Sequence, residues 1–164
     1  MDITRFKGGK ELQAALNQLP AKIERNVMRS ALRQGANVIR NDARQNAPVD
    51  DGDLKKSIKV STRARGGKVT ATLRAGDKKV FYAHFIEYGT KPHDIAAKNK
   101  KVLVFEDGGK ATRAKHPGVT AKPFMRPALD DKSDEAVQAV ANQIRKVLST
   151  KHGVDVPIPD IDDS

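Results

Sequence analysis

Histidines His84, His93, His116 and His152 are the side chains best suited to ligate a metal or to move protons near neutral pH. None stands three or four residues from another, and no H-E-x-x-H pattern occurs, so a zinc site would need distant loops to converge. His93 follows a proline and His116 precedes one, which fits loop geometry or a polar interface better than ligation. Asp50, Asp51 and Asp53 could offer oxygens to calcium, but their spacing is not that of an EF-hand and no glutamate closes the loop. A turn leading into a strand is expected there. Gly8-Gly9-Lys10 and Gly108-Gly109-Lys110 lack the full phosphate-loop spacing and are read as hinges. The serines, at 30, 57, 61, 133, 149 and 164, occupy no G-x-S-x-G elbow. Glu87, among Phe85, Ile86 and Tyr88, is the one carboxylate expected to be buried, paired with an Arg or Lys for structure. No catalytic site, metal or cofactor is predicted, and an enzyme is the weakest reading.

Composition narrows the classes further. Cysteine is absent, so disulfides, thiolate metal sites and cysteine nucleophiles are excluded, which fits a reducing cytoplasm. The opening Met1-Asp2-Ile3-Thr4-Arg5-Phe6-Lys7 is not the apolar run of a signal peptide, and no stretch approaches the ~20 apolar residues of a membrane span. A soluble protein made in the cytoplasm, without membrane contact, is expected. The net charge of +11 is unevenly spread. Residues 1–48 carry nine Lys/Arg against four Asp/Glu, residues 49–128 eighteen against eight, and residues 129–164 four against eight. A basic body with an acidic end suits a polyanionic neighbour, or subunits whose opposite charges meet.

The elements that would position these residues follow from hydrophobic period. Leu12, Ala15, Leu16 and Leu19 form one helical stripe that Pro20 interrupts. Ile23, Val27, Ala31, Gly35 and Ile39 then recur every four residues, which predicts a long helix over 21–46, stopped by Ala47-Pro48. Beyond a turn at 50–53 the period becomes two: Ile58, Val60 and Thr62, then Val69, Ala71 and Leu73, around Gly66-Gly67, predict a β-hairpin. Segment 80–88 fits either a strand or a short helix closed by Gly89, with the helix favoured. Holding most of the chain's aromatics, it is expected to anchor the core. Residues 91–122 are basic and poor in apolar side chains apart from Val102-Leu103-Val104-Phe105, the mark of a functional segment or one that orders on binding. Val137, Val140, Ala141, Ile144, Val147 and Leu148 predict a last helix beginning near Asp130, with Asp130, Asp131, Asp134 and Glu135 complementing its dipole. Gly153 should end it. The fold class is α+β, with the long N-terminal helix and the C-terminal helix packed on a small antiparallel sheet. The expected organisation is one domain over 1–153 with a basic insert at 91–122, and an acidic, disordered tail at 154–164.

Three clusters carry a family likeness. Ala47-Pro48, Gly52, Leu54 and Ser57-Ile58 follow the long helix; Tyr82-Ala83 precede Glu87-Tyr88-Gly89-Thr90; Pro123-Phe124-Met125-Arg126-Pro127-Ala128-Leu129 open the last helix. In this order they resemble the "gene product ten" tail-component family of lambdoid siphophages, small tail-completion or head–tail joining proteins. The stretch Lys91-Pro92-His93-Asp94-Ile95, Lys100-Lys101-Val102-Leu103-Val104-Phe105 and His116-Pro117-Gly118 also looks like an insert common among phage morphogenesis proteins. The acidic end after Gly153 departs from the family.

The resemblance implies a structural virion subunit at the head–tail joint or upper tail, working as a homo-oligomeric ring, hexameric in the particle. Its partners would be head-connector and tail-terminator or tail-tube proteins. Its motif positions are Pro48, Gly52, Leu54, Tyr82, Glu87, Gly89, Thr90, His93, His116, Pro117, Gly118, Pro123, Phe124 and Pro127. Lys98, Lys100, Lys101, Lys110, Arg113 and Lys115 are candidate contacts to a partner ring or to DNA phosphates in the channel, sequence-blind and salt-sensitive. The alternative is a sequence-nonspecific nucleic-acid-binding protein, which a pI near 9.9 favours.

Overall fold

The computed structural model describes residues 9–17, 20–97, 102–105 and 108–153. Helix α1 spans Gly9–Asn17 and α2 spans Ala21–Asn46, so the four-residue apolar recurrence marks the long helix as expected. Leu12 and Leu16 of α1 are buried; Leu19, expected on the same stripe, lies outside the described residues. A short helix α3, Asp53–Ser57, occupies part of what the sequence suggested was a plain turn. Gly52 precedes it with a left-handed φ of 79°, and the Asp51 carboxylate accepts the Asp53 N–H at 2.9 Å.

Strands β1, Lys59–Arg65, and β2, Lys68–Arg74, pair antiparallel around Gly66-Gly67 in the register Lys59↔Arg74 to Arg65↔Lys68. Residues 60, 62 and 64 turn a half-buried face towards α2, and their neighbours 59, 61, 63 and 65 face outward. Helix α4 spans Ala83–Tyr88 and is closed at Gly89, the helical option for that segment. Strands β3, His93–Ala96, and β6, Arg113–His116, form one antiparallel ladder, and β4, Leu103–Val104, with β5, Lys110–Ala111, form another. Helix α5 spans Met125–His152 and ends at Gly153, whose φ of 64° is left-handed.

Two apolar clusters lie along the antiparallel α2–α5 pair. In the first, Leu12 and Leu16 meet Val27 and Ala31 of α2 and Ala141, Ile144 and Leu148 of α5. In the second, Ala43 and Ala47 meet Leu54, Ile58, Val80, Ala83, Phe124 and Ala128. Between them Gly35 lets the helices touch: a Cβ there would stand 2.6 Å from Val140 Cγ2 and 2.7 Å from the Ala136 carbonyl oxygen. Helix α2 thus packs on α5 along one side and on the β1–β2 hairpin along another.

Two expectations need correction. Helix α5 starts at Met125 rather than near Asp130, so its first turn holds no acidic residue. The 80–88 segment is not wholly a core anchor either. Val80, Ala83 and Glu87 are buried and Tyr82 and Ile86 half-buried, but Phe81, Phe85 and Tyr88 are 64%, 38% and 69% exposed. A helix with apolar residues on two faces can bury only one of them here.

Candidate assembly surfaces

The three sequence clusters, far apart in the chain, close around the second apolar cluster. Leu54 comes from the corner after α2, Val80 and Ala83 from the start of α4, and Phe124 and Ala128 from the start of α5. Phe124 has no exposed surface. Pro48, half-buried, ends α2, and the buried Ser57 fastens the corner by donating to the Leu54 carbonyl at 2.7 Å and accepting the Gly76 N–H at 3.0 Å.

Glu87 joins α4 to α5. Its Oε2 accepts the N–H groups of Phe124 and Met125 at 2.8 and 2.9 Å, and its Oε1 accepts that of Arg126 at 3.0 Å. These are backbone donors that a helix start leaves without intrahelical partners, and the positive end of the dipole lies beside them. Pro127 stands next, in the first turn, where its lack of an N–H costs nothing. Burial alone would raise the carboxyl's pKa. The three N–H donors and the Arg126 charge outweigh it and leave Glu87 below the usual carboxylate range. The counter-charge expected from an Arg or Lys is therefore supplied chiefly by a helix terminus. Arg126 itself reaches over the Tyr88 ring, 5.9 Å from its centroid.

The basic insert is a two-stranded arm. Its root is the pair Thr90 and Val119, whose N–H and C=O groups bond reciprocally at 2.9 and 3.2 Å. Two glycines let the strands pinch. A Cβ on Gly89 would lie 2.6 Å from the Val119 oxygen, and one on Gly118 2.2 Å from the Thr90 oxygen, with φ 70° and 87° respectively. Above the root, His93 faces His116 across the ladder with ring centroids 5.0 Å apart. The His93 Nδ1 bonds the Lys91 carbonyl at 3.0 Å, and the His116 Nδ1 accepts the Gly118 N–H at 3.0 Å, while Pro117 is exposed. Asp94 pairs in register with Lys115. The arm ends in a tight turn where the Phe105 N–H bonds the Gly109 oxygen and the Gly108 N–H bonds the Phe105 oxygen, both at 2.9 Å.

Lys110, Arg113 and Lys115 are exposed on this arm; Lys98, Lys100 and Lys101 lie outside the described residues, as does the 154–164 tail. Among the described residues no group of three or more His, Asp or Glu side chains converges as a metal site would require, and no helix is long and apolar enough to cross a membrane.

Sequence reasoning overlooked a second basic surface. The outward face of the hairpin carries Lys59, Arg63, Arg65, Lys68 and Arg74, and in register Lys59 stands opposite Arg74 and Arg65 opposite Lys68. Like charges directly across a ladder repel, so the face is suited to an anionic partner. The alternation with Val60, Thr62 and Ala64 was the available signal.

Residues 10–89 match the protein-family model described as "Bacteriophage HK97-gp10, putative tail-component". The chain thus carries an HK97-gp10-like segment, and the likeness to siphophage tail components holds over α1 to the end of α4. The coarse assignment is a bacteriophage tail component, and hence a part of the virion. The match takes in the Pro48–Ile58 corner and Tyr82–Gly89 and ends at the root of the arm, before the Pro123–Leu129 cluster. Comparisons with curated proteins and with solved structures found no match.

Proposed function

We propose that this tail component is a structural subunit of the head–tail joint or upper end of the tail, where it completes the particle as a ring. The observation that carries this reading is the HK97-gp10-like match over residues 10–89. Partners then bind by surface fit: neighbouring copies in the ring, and the head-connector and tail-terminator or tail-tube proteins above and below. Rings arise from head-to-tail interfaces that close, so the subunit needs two different surfaces that suit each other. The chain's charge distribution supplies one such pair, with residues 129–164 carrying eight acidic against four basic side chains and the middle of the chain strongly basic. The cationic outer face of β1–β2 is the best described receiver for the acidic end of a neighbour.

Assembly occurs in the host cytoplasm before incorporation into the virion. Disruption of the gene in its phage should leave unjoined heads and tails in lysates viewed by electron microscopy. Normal particles lacking the protein would end this reading. Ring formation by charge should weaken with added salt and on deletion of 151–164; indifference to both would remove the charge mechanism.

A second reading draws on the same cationic hairpin face: a sequence-nonspecific nucleic-acid-binding protein that contacts phosphates. Tight duplex binding by the purified chain at physiological salt, lost on charge reversal at Arg63 and Lys68, would favour it.

A further inference from the structure

We propose that the outer face of α4 is the docking site for the tip of the β-arm of a second copy of this chain. The inference rests on the ring reading and gives it a specific interface.

The large exposed apolar side chains among the described residues fall in two places. Phe81, Phe85 and Tyr88 stand at i, i+4 and i+7 along α4, with Leu129 and Val49 on the flanking start of α5 and the corner after α2. Val102, Val104 and Phe105 crowd the arm's tip, and Val119 stands at its root. Scattered exposed apolar residues need no explanation, but a three-residue aromatic stripe on one helix face and an apolar hairpin tip are the forms taken by a socket and its insert.

The two cannot meet within one chain while the ladders hold. The arm is rooted at Thr90, directly after the stripe's last residue but one, and runs away from it. Only Thr112 separates β5 from β6, so residues 110–116 alone advance about 20 Å. The arm strands pair with each other and pack extensively on no other described element. Their tip is free to meet a neighbour.

Charge favours the same match. The arm presents Lys110, Arg113 and Lys115. At one end of the stripe Asp50 and Asp51 act on Tyr82, whose hydroxyl burial and these aspartates hold above its ordinary pKa. Asp53 stands there too but is engaged by Lys79. At the other end Asp130 shares a shallow groove with Tyr88, and Asp131 is exposed beside it. A basic, apolar-tipped arm fits an aromatic stripe with acidic ends. The surfaces are different, so the interface is heterologous and propagates from copy to copy, as a ring requires.

The chain has no cysteine, which makes a cross-link readable. Phe85→Cys and Val104→Cys chains, tagged to differ in size, are mixed and oxidised gently. The expected result is a disulfide-linked heterodimer well above that given by Val104→Cys with Ser149→Cys, a site at the far end of α5. An intrachain disulfide in a monomeric Phe85→Cys/Val104→Cys double variant overturns the proposal, as does a heterodimer yield equal to the control. In sedimentation of the full chain, Phe105→Asp and Phe85→Asp should each weaken self-association about tenfold or more, as loss of a buried aromatic anchor does. Both positions are exposed in the single chain, and circular dichroism checks that each variant folds. Rings that persist in both variants overturn arm docking and leave the ring reading standing. A wild-type chain that gives neither the heterodimer nor any species above monomer at high concentration counts against both.

Discussion

The α2–α5 body and the β-arm are built on opposite terms. The body's side chains answer to one another: Gly35 exists to admit Val140, Phe124 fills a closed space, and Glu87 has three donors and no room for a fourth purpose. The arm's side chains mostly face solvent, and its backbone is held by two short ladders and one pinched root. Burial makes the body stable and leaves it little to offer a partner. The arm gains almost nothing from its own apolar residues, so what Val104 and Phe105 do is measured outside the chain.

That contrast can be broken by mutation. Phe124→Ala should cost the most stability, about 3–5 kcal/mol, because a ring with no exposed surface leaves a cavity at the meeting of α3, α4 and α5. Denaturant titration measures it, and a loss below ~1 kcal/mol would mean the second apolar cluster is loosely packed. Gly35→Ala should come next, at about 1–3 kcal/mol. The added methyl meets a backbone oxygen that cannot rotate away, which outweighs the better helix propensity of alanine.

Glu87→Gln should cost about 1–3 kcal/mol, since one of its two accepting atoms becomes a donor facing backbone N–H groups. Its pH dependence has a definite sign. The folded carboxyl lies below its ordinary value of 4.5, so its stabilisation is full above that value and is lost as pH falls through the lower, folded one. Acid titration of stability should therefore be shallower below about pH 4.5 in Glu87→Gln than in the wild type. Parallel curves would show that Glu87 carries no such linkage. The smallest effect is expected from replacing 91–118 by a short turn between Thr90 and Val119, whose backbones already bond each other. Stability should change by no more than ~1 kcal/mol, as closing a shorter loop costs little. A large loss would mean the arm belongs to the body after all.

The body was legible because its period is local. Ile23 to Ile39 at four-residue spacing gave α2 to the residue, and Gly66-Gly67 between alternating runs gave the hairpin. The start of α5 was misplaced because its cap comes from another part of the chain. A cluster of aspartates at 130–134 looks like a helix start, and only contact with Glu87 reveals five earlier helical residues. Periodicity likewise could not say which face of α4 is inward: Phe81, Phe85 and Tyr88 share a face as good as that of Ala83 and Glu87, and burial was assigned to the wrong one. The arm's ladders join residues such as His93 and His116 that are remote in sequence and flanked by charge, so no local signal marked them as paired.

The carboxylate of Glu87 also makes the molecule a lever. It grips one end of a rod of 28 residues, about 42 Å long, whose opposite end at Leu148 is wedged against Leu12 and Leu16. A tilt of about five degrees imposed at α4 would displace that far end by roughly 4 Å over such a length. Whatever seats against Tyr88 is thereby felt on the other side of the subunit, with a single acidic side chain as the fulcrum.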